Sequence, residues 1–170
     1  MFWQEDERPK DFEIPDDIVD LIFDIQCREL PVDHAQELAR ALKVYLPGLE
    51  QDERLGVHSV HLAGSQNGWE RPDPSLGQRL ILSRRTKLRL RVPKEHQAQV
   101  QQALDGAQLD VGGCSMKIGQ AKQKLLSGQG TIFSRYVVLE PGEDADENAF
   151  LRRIVDHLAG RGIRISKALC

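Results

Sequence analysis

The sequence lacks the segments that would place a protein in a membrane. No apolar run among its 170 residues approaches the roughly 20 residues of a membrane-spanning helix. The start of the chain, Met1 to Lys10, is acidic and polar, unlike a signal peptide. With 40% hydrophobic and 29% charged residues, the composition is that of an ordinary folded protein. The sequence therefore predicts a cytoplasmic protein.

Cysteine is also scarce. Cys27, Cys114 and Cys170 are odd in number, widely spaced and without a CxxC pair, so we expect free thiols rather than a disulfide framework or a zinc site. The sequence has no Walker loop, no HExxH motif, no nucleophile elbow and no Cys-His nucleophile pair. We therefore expect no metal and no cofactor.

The net charge of −3 conceals two segments of opposite sign. Residues 1–33 contain eleven acidic residues against three basic ones. Residues 79–94 contain seven cations and no acid: Arg79, Arg84, Arg85, Lys87, Arg89, Arg91 and Lys94. Because salt screens charges beyond about 8–10 Å, a phosphate-bearing partner responds to the local field rather than to the average. The basic segment therefore indicates a nucleic-acid surface.

Apolar periodicity predicts an α+β fold. The predicted elements are a strand over 18–25, a helix capped by Asp33 and ended by Pro47-Gly48, a strand over 56–63, extended segments over 80–82 and 87–92, a helix over 93–104, and a hairpin or bulged strand over 109–118. This is the element order of a ferredoxin-like or RNA-recognition-motif unit, which we place at residues 1–125 with residues 1–16 as an acidic leader.

The same pattern starts again after residue 125. Residues 131–139 read as a strand, Asp146 caps a helix with an apolar face, and residues 163–169 begin a further strand. Residues 126–170 are therefore expected to be the start of a second ferredoxin-like unit in tandem with the first, incomplete at Cys170.

Histidine and cations together suit one reaction, the cutting of RNA by its own 2′-hydroxyl. That reaction needs a base for the hydroxyl, an acid for the leaving oxygen and positive charge for the phosphate oxygens. His34 is the first candidate base, because the positive end of the helix dipole in the first turn keeps its ring neutral. The alternative is a partly exposed histidine hydrogen-bonded to Asp33.

His58 is the second candidate. His58 and His61 lie at odd spacing on the predicted strand and so are expected on opposite faces of the sheet, where one of them would add an acid or base. The alternative is that one is a satisfied core histidine and the other is solvated.

RNA binding is predicted for Arg84, Arg85, Lys87, Arg89 and Arg91. In residues 87–92 cations alternate with apolar residues, so Lys87, Arg89 and Arg91 share one face of a strand. Arg84 or Arg85 can hold the scissile phosphate bidentately. Trp69, in a long loop over residues 64–77, either stacks on a base or pins the loop. The alternative interpretation of these cations is a solvated sheet face that pairs with the acidic N-terminal segment.

An ordered set of short motifs then resembles a known family. The set includes Leu30-Pro31-Val32-Asp33-His34, Gly56-Val57-His58, Asn67-Gly68-Trp69-Glu70-Arg71-Pro72, Leu82-Ser83-Arg84-Arg85-Thr86 and Leu109-Asp110-Val111-Gly112-Gly113. Over roughly residues 18–170 the chain resembles the Myxan-type branch of the CRISPR-associated repeat-RNA endoribonucleases.

The resemblance implies metal-independent cleavage of a CRISPR repeat hairpin, with the product kept by the enzyme or by a surveillance complex. It also implies a general-base histidine on the first helix, which matches His34, with His58 in reserve. Members of the family normally continue into a glycine-rich loop and further strands. The alternatives are a non-catalytic RNA-binding subunit of a CRISPR effector complex, and an interaction module that docks through its acidic N-terminus.

Overall fold

The computed structural model describes residues 14–48, 51–61, 72–128, 146–163, 165 and 167–168. The chain divides into two compact units, residues 1–128 and residues 129–170. Within the described residues, no helix is both long enough and apolar enough to cross a membrane. The predicted strand over 131–139 lies outside the described residues, as do residues 164, 166 and 169 of the one predicted over 163–169.

The first unit is a mixed α/β structure built on an antiparallel sheet. Its elements are β1 (Ile18–Gln26), β2 (Glu29–Pro31), α1 (Ala35–Tyr45), β3 (Gly56–Val57), β4 (Arg79–Ile81), β5 (Lys87–Pro93), α2 (Gln97–Leu104), β6 (Gln108–Val111) and β7 (Cys114–Leu125). Five strands form one sheet in the order β3-β5-β1-β7-β6, and β2 pairs with β4 in a separate two-stranded sheet. All of the pairings are antiparallel.

The core lies between one face of the five-stranded sheet and the two helices. Alternate residues of the central strands point into it, and the helices contribute Leu38 and Leu42 from α1 and Val100 and Leu104 from α2. The sheet members of the core include Val19, Leu21, Phe23, Leu88, Leu90, Val92, Met116 and Ile118. The alternation predicted for residues 18–25 and 87–92 is confirmed.

Several predicted boundaries are wrong, among them the start of α1, the extent of β3 and the start of α2, which is Gln97 rather than Pro93. Helix α1 begins at Ala35, and its N-cap is His34 without a capping side-chain bond, so Asp33 does not occupy the cap. The strand predicted over 56–63 is only two residues long, because the chain leaves the sheet after the backbone bond of His58 to Arg89 and Val60 turns into the core at 2% exposure. Residues 62–63 lie outside the described residues.

A β-bulge in β7 decides which of its side chains face away from the helices. Phe23 pairs with Ala121, whereas Ile25 pairs with Ile118, so β7 contains one extra residue at this point. A Cβ on Gly119 in the bulge would approach the Cβ of Asp24 to 3.3 Å. The extra residue reverses the alternation, and Lys122 and Lys124 therefore point away from the core that receives Met116 and Ile118.

The β6–β7 hairpin, predicted as a hairpin or bulged strand, turns on two glycines. Gly112 and Gly113 have φ of +59° and +80°, the left-handed geometry that two-residue hairpins favour. A Cβ on Gly112 would lie 2.9 Å from Cγ of Pro31, whereas a Cβ on Gly113 would meet nothing within 4 Å.

This difference gives a stability prediction. Gly113→Ala is expected to lower the free energy of unfolding by about 1–2 kcal/mol, through backbone strain alone. Gly112→Ala combines that strain with overpacking against a rigid proline ring, and we expect about 2–4 kcal/mol. Urea denaturation of the two variants measures both effects. Equal losses would show that the contact with Pro31 is absent.

The second unit is described through α3 (Glu147–Gly160) and a few residues after it. The Asp146 carboxylate accepts a hydrogen bond from the backbone N–H of Ala149 at 2.7 Å, which confirms the predicted cap. Phe150, Leu151, Ile154, Val155 and Leu158 are half-buried, as expected of one apolar face.

Candidate nucleic-acid interface

The sheet face turned away from the helices collects most of the predicted binding residues. We call it the charged face: Asp20, Ile22 and Asp24 of β1, Lys87, Arg89 and Arg91 of β5, Lys122 and Lys124 of β7, and His58. The register places Arg89 and Lys122 on either side of Ile22, and Arg91 and Lys124 on either side of Asp20. Five cations thus flank a central strand that contributes two carboxylates.

Part of this positive charge is neutralised within the sheet. Asp20 is only 5% exposed, and its carboxylate accepts hydrogen bonds from Nε and Nη2 of Arg91 at 2.9 Å and 3.3 Å. Asp24 pairs with the ammonium group of Lys87, and that hydrogen bond holds the pKa of Asp24 below its usual range. The alternative interpretation of the sequence, in which these cations pair with acidic residues of the N-terminal segment, therefore holds for Lys87 and Arg91, two of the three β5 cations.

Arg89 differs from its neighbours on β5. No ion pair involves Arg89 among the residues that the structure describes, and it lies between the paired Lys87 and Arg91 on the exposed side of the strand. Its guanidinium group is therefore the β5 cation best placed to accept a phosphate, with five donors in a geometry that matches phosphate oxygens.

Arg84 and Arg85 form the tip of the turn that leads into β5. The backbone N–H of Thr86 donates to the Ser83 carbonyl at 3.0 Å, and the N–H of Arg85 donates to Oγ of Ser83 at 3.2 Å. Thr86 is 1% exposed and anchors the turn, whereas both arginines are exposed. The turn therefore presents two guanidinium groups to solvent next to the Lys87 end of the charged face.

His58 lies on the charged face beside Arg89. Its backbone N–H donates to the carbonyl of Arg89 at 3.1 Å, which continues the β3–β5 ladder by one residue and places the two side chains on the same face. Burial lowers the pKa of His58 below 6.5; Arg91, Arg89 and His61 act in the same direction, and Asp20 opposes them. His58 is therefore neutral at pH 7 and able to accept a proton.

His61 does not follow the expected alternation. Because the strand ends at Val57, the odd spacing of His58 and His61 no longer places them on opposite faces, and His61 is close enough to lower the pKa of His58.

His34 is buried, at 4% exposure, so it is not the partly exposed histidine of the alternative interpretation. Its Nδ1 lies 3.0 Å from the carbonyl oxygen of Pro31, and its Nε2 lies 2.9 Å from the backbone nitrogen of Val60. A carbonyl only accepts and a backbone N–H only donates, so Nδ1 carries the proton and Nε2 is the acceptor. Both ring nitrogens are therefore engaged with backbone groups.

One cluster of possible metal ligands lies apart from the residues above. Ligand atoms of Asp52, Glu95 and His96 lie within 4.8 Å of one another. Nη2 of Arg54 lies 2.8 Å from both carboxylates and supplies positive charge, and its bonds to Asp52 lower the pKa of that carboxyl. The arrangement is that of an exposed ion-pair network that ties residues 52–54 to the start of α2.

Sequence reasoning missed Lys122 and Lys124, because the predicted hairpin stopped at residue 118. Their alternation with Ala121 and Gln123 was a usable signal for a longer strand. Trp69, the predicted stacking residue, lies outside the described residues.

Comparison with known proteins identifies the family. The family model described as "Cas6 Crispr" matches residues 19–170. The chain is also 31% identical over 146 residues to the CRISPR-associated endonuclease Cas6 of Myxococcus xanthus, an alignment that covers 86% of this chain and 57% of that protein. This chain belongs to the Cas6 family. It spans a little more than half the length of the relative that it matches.

The ion pair between Asp24 and Lys87 leads to a prediction on affinity. Asp24→Asn removes a negative charge from the charged face and frees Lys87, so repeat RNA is expected to bind a few-fold more tightly at low salt, with a steeper salt dependence. Glu37→Gln is the matched control, since it frees Arg40 of α1 in the same way. Fluorescence anisotropy with labelled RNA compares the two variants. An equal gain in both would mean that only net charge matters.

Proposed function

We propose that this protein binds CRISPR repeat RNA on the charged face and cleaves it to give guide RNA, without a metal ion. The observation that supports the proposal is the position of His58, a half-buried and neutral histidine, beside Arg89. Arg89 has no ion-pair partner in the described residues, and further cations line the same sheet face. Membership in the Cas6 family and the printed name of the Myxococcus relative support repeat RNA as the substrate.

The reaction is an internal transfer at one phosphate. The 2′-oxygen attacks the adjacent phosphorus, the bond from phosphorus to the 5′-oxygen breaks, and the products are a 2′,3′-cyclic phosphate and a 5′-hydroxyl. A base takes the proton of the 2′-hydroxyl and an acid protonates the leaving 5′-oxygen. Neither water nor a redox partner is consumed.

In this proposal His58 is the base. Its ring is neutral near pH 7 and shares its face with Arg89, whose guanidinium stabilises the negative charge that builds on the phosphate oxygens. Arg84 and Arg85, together with Lys87 and Arg91, hold the flanking phosphates. The catalytic role predicted for His34 and the stacking role predicted for Trp69 stay predictions.

The topology suits an RNA-binding platform. With β6 set aside, the sheet order β3-β5-β1-β7 and the two crossover helices correspond to a ferredoxin-like unit. We propose that residues 1–125 form this unit and that residues 126–170 start a second one in tandem. We also propose that the protein acts in the cytoplasm and that its product stays bound to it or to a CRISPR surveillance complex.

A second candidate function is a non-catalytic RNA-binding subunit. The observation that favours it is the engagement of both ring nitrogens of His34, which leaves the histidine on the first helix without a free lone pair. Repeat RNA with a single 2′-deoxy nucleotide before the scissile phosphate separates the two functions. If the enzyme proposal holds, this RNA binds normally and resists cleavage while the all-ribose RNA is cut. Tight binding of both RNAs without any product would favour the subunit.

A further inference from the structure

The chain that follows β3 lacks the ladder that usually fixes a strand. After His58 donates to Arg89, no further backbone bond to β5 continues the pairing in the described residues, and the chain turns inward. Val60 is 2% exposed, so its backbone N–H needs an acceptor inside the protein. Nε2 of His34 is that acceptor, at 2.9 Å.

The second bond of His34 fixes the ring itself. Nδ1 donates to the carbonyl of Pro31, the last residue of β2, and the backbone carbonyl of His34 accepts from the N–H of Leu38 in the first turn of α1. The ring of His34 is thus fixed by its contacts with β2 and α1, and its Nε2 in turn fixes the backbone N–H of Val60 in the segment 58–61. A single side chain connects elements 26 residues apart in the sequence.

These contacts leave the ring without a free lone pair. Nε2 accepts the hydrogen bond from the N–H of Val60, and Nδ1 carries the proton that is donated to Pro31. A base must present a free lone pair to the substrate hydroxyl, directly or through one water. At 4% exposure, His34 presents no free lone pair to a substrate hydroxyl by either route.

We infer that His34 is a positioning residue, which holds the segment 58–61, and with it His58, over the charged face. The inference rests on the proposed function for its effect on cleavage. His58 is two residues from Val60, so loss of the His34 bond leaves the buried N–H of Val60 without its acceptor and loosens the chain next to His58.

Glutamine and asparagine at position 34 separate positioning from catalysis. Neither amide takes up a proton near neutral pH, so a catalytic role for His34 predicts that both variants are inactive. The oxygen of glutamine reaches roughly the place of Nε2 and can accept from Val60, whereas asparagine is one methylene shorter. We expect His34→Gln to keep cleavage within about tenfold of the unchanged protein, with the same acid limb in its pH–rate profile, and His34→Asn to lose about a hundredfold or more.

The inference would be overturned if His34→Gln lost as much cleavage activity as His34→Asn while both variants bound repeat RNA normally. That result would leave the proposed endonuclease function intact. Absence of cleavage by the unchanged protein would count against the proposed function instead. A readout independent of cleavage then decides the inference.

That readout is the titration of His58 followed by NMR. The groups that face His58 are Asp20 of β1, Arg89 and Arg91 of β5, and His61, and burial is the main cause of its lowered pKa. In His34→Gln we expect the pKa of the unchanged protein. In His34→Asn the released segment exposes the ring, and the pKa rises towards 6.5. The same pKa in all three proteins would show that His34 does not position His58.

Discussion

Replacing His58 with alanine is expected to lower the rate of repeat-RNA cleavage by about 10²- to 10⁴-fold, the usual contribution of a general base. The affinity for RNA should change only a few-fold, because a neutral histidine contributes little to phosphate binding. Single-turnover kinetics with end-labelled RNA, alongside binding measured by anisotropy, separates the two effects. The unchanged protein should also lose activity as the pH falls below 6.5, through the lowered pKa of His58.

The matched control is His157→Ala, which removes an exposed histidine from α3. We expect its cleavage rate to stay within about twofold of the unchanged protein, since surface substitutions away from a site have small effects. A His58→Ala protein that cuts at the normal rate would remove His58 from the mechanism.

Replacing both Arg84 and Arg85 with alanine is expected to weaken binding of repeat RNA about ten- to a hundredfold near physiological salt. Each guanidinium is exposed on the turn before β5, and charge-assisted bonds to phosphate are the stronger kind of hydrogen bond. The plot of log affinity against log salt should also become shallower by about 1.5, the value for two lost phosphate contacts. Binding titrations between low and moderate salt measure this slope.

A control double variant removes the same number of cations from the helix side of the sheet. Arg40 pairs with Glu37, and Lys43 lies in the last turn of the same helix, α1. When Arg40 and Lys43 are both replaced by alanine, we expect the affinity for repeat RNA to fall less than threefold. The slope of log affinity against log salt should stay unchanged. If the two double variants weaken binding equally, the turn before β5 is not a specific contact.

The central strands of the sheet were predictable because period-2 alternation is a local property. Leu88, Leu90 and Val92 are fully buried, and the intervening cations lie on the other face, as the alternation indicates. Of the small β2–β4 sheet, the sequence predicted only β4, as an extended segment over 80–82; β2, with three residues, is too short to show a period.

The rest of the charged face depends on contacts between distant residues. Lys122 and Lys124 join it only because one extra residue in β7 reverses the side-chain alternation, and a bulge is defined by the partner strand rather than by its own sequence. Gly119 was the local hint, since a glycine inside a strand often marks a bulge.

His34 shows the same limit at the level of one side chain. Its place at the start of a helix was evident from the sequence, but its hydrogen bond with Val60 joins residues 26 positions apart and has no local signal. The helix dipole argument predicted a neutral ring. What the sequence did not show is that the free lone pair of that ring is already used.

The most direct test of the proposed function is incubation of end-labelled CRISPR repeat RNA from the same genome with the protein in EDTA. We predict one cut in the repeat, with a 2′,3′-cyclic phosphate on the upstream product and a 5′-hydroxyl on the downstream product. Tight, salt-sensitive binding without any product, or cleavage that appears only when a divalent metal is restored, would contradict the proposed mechanism.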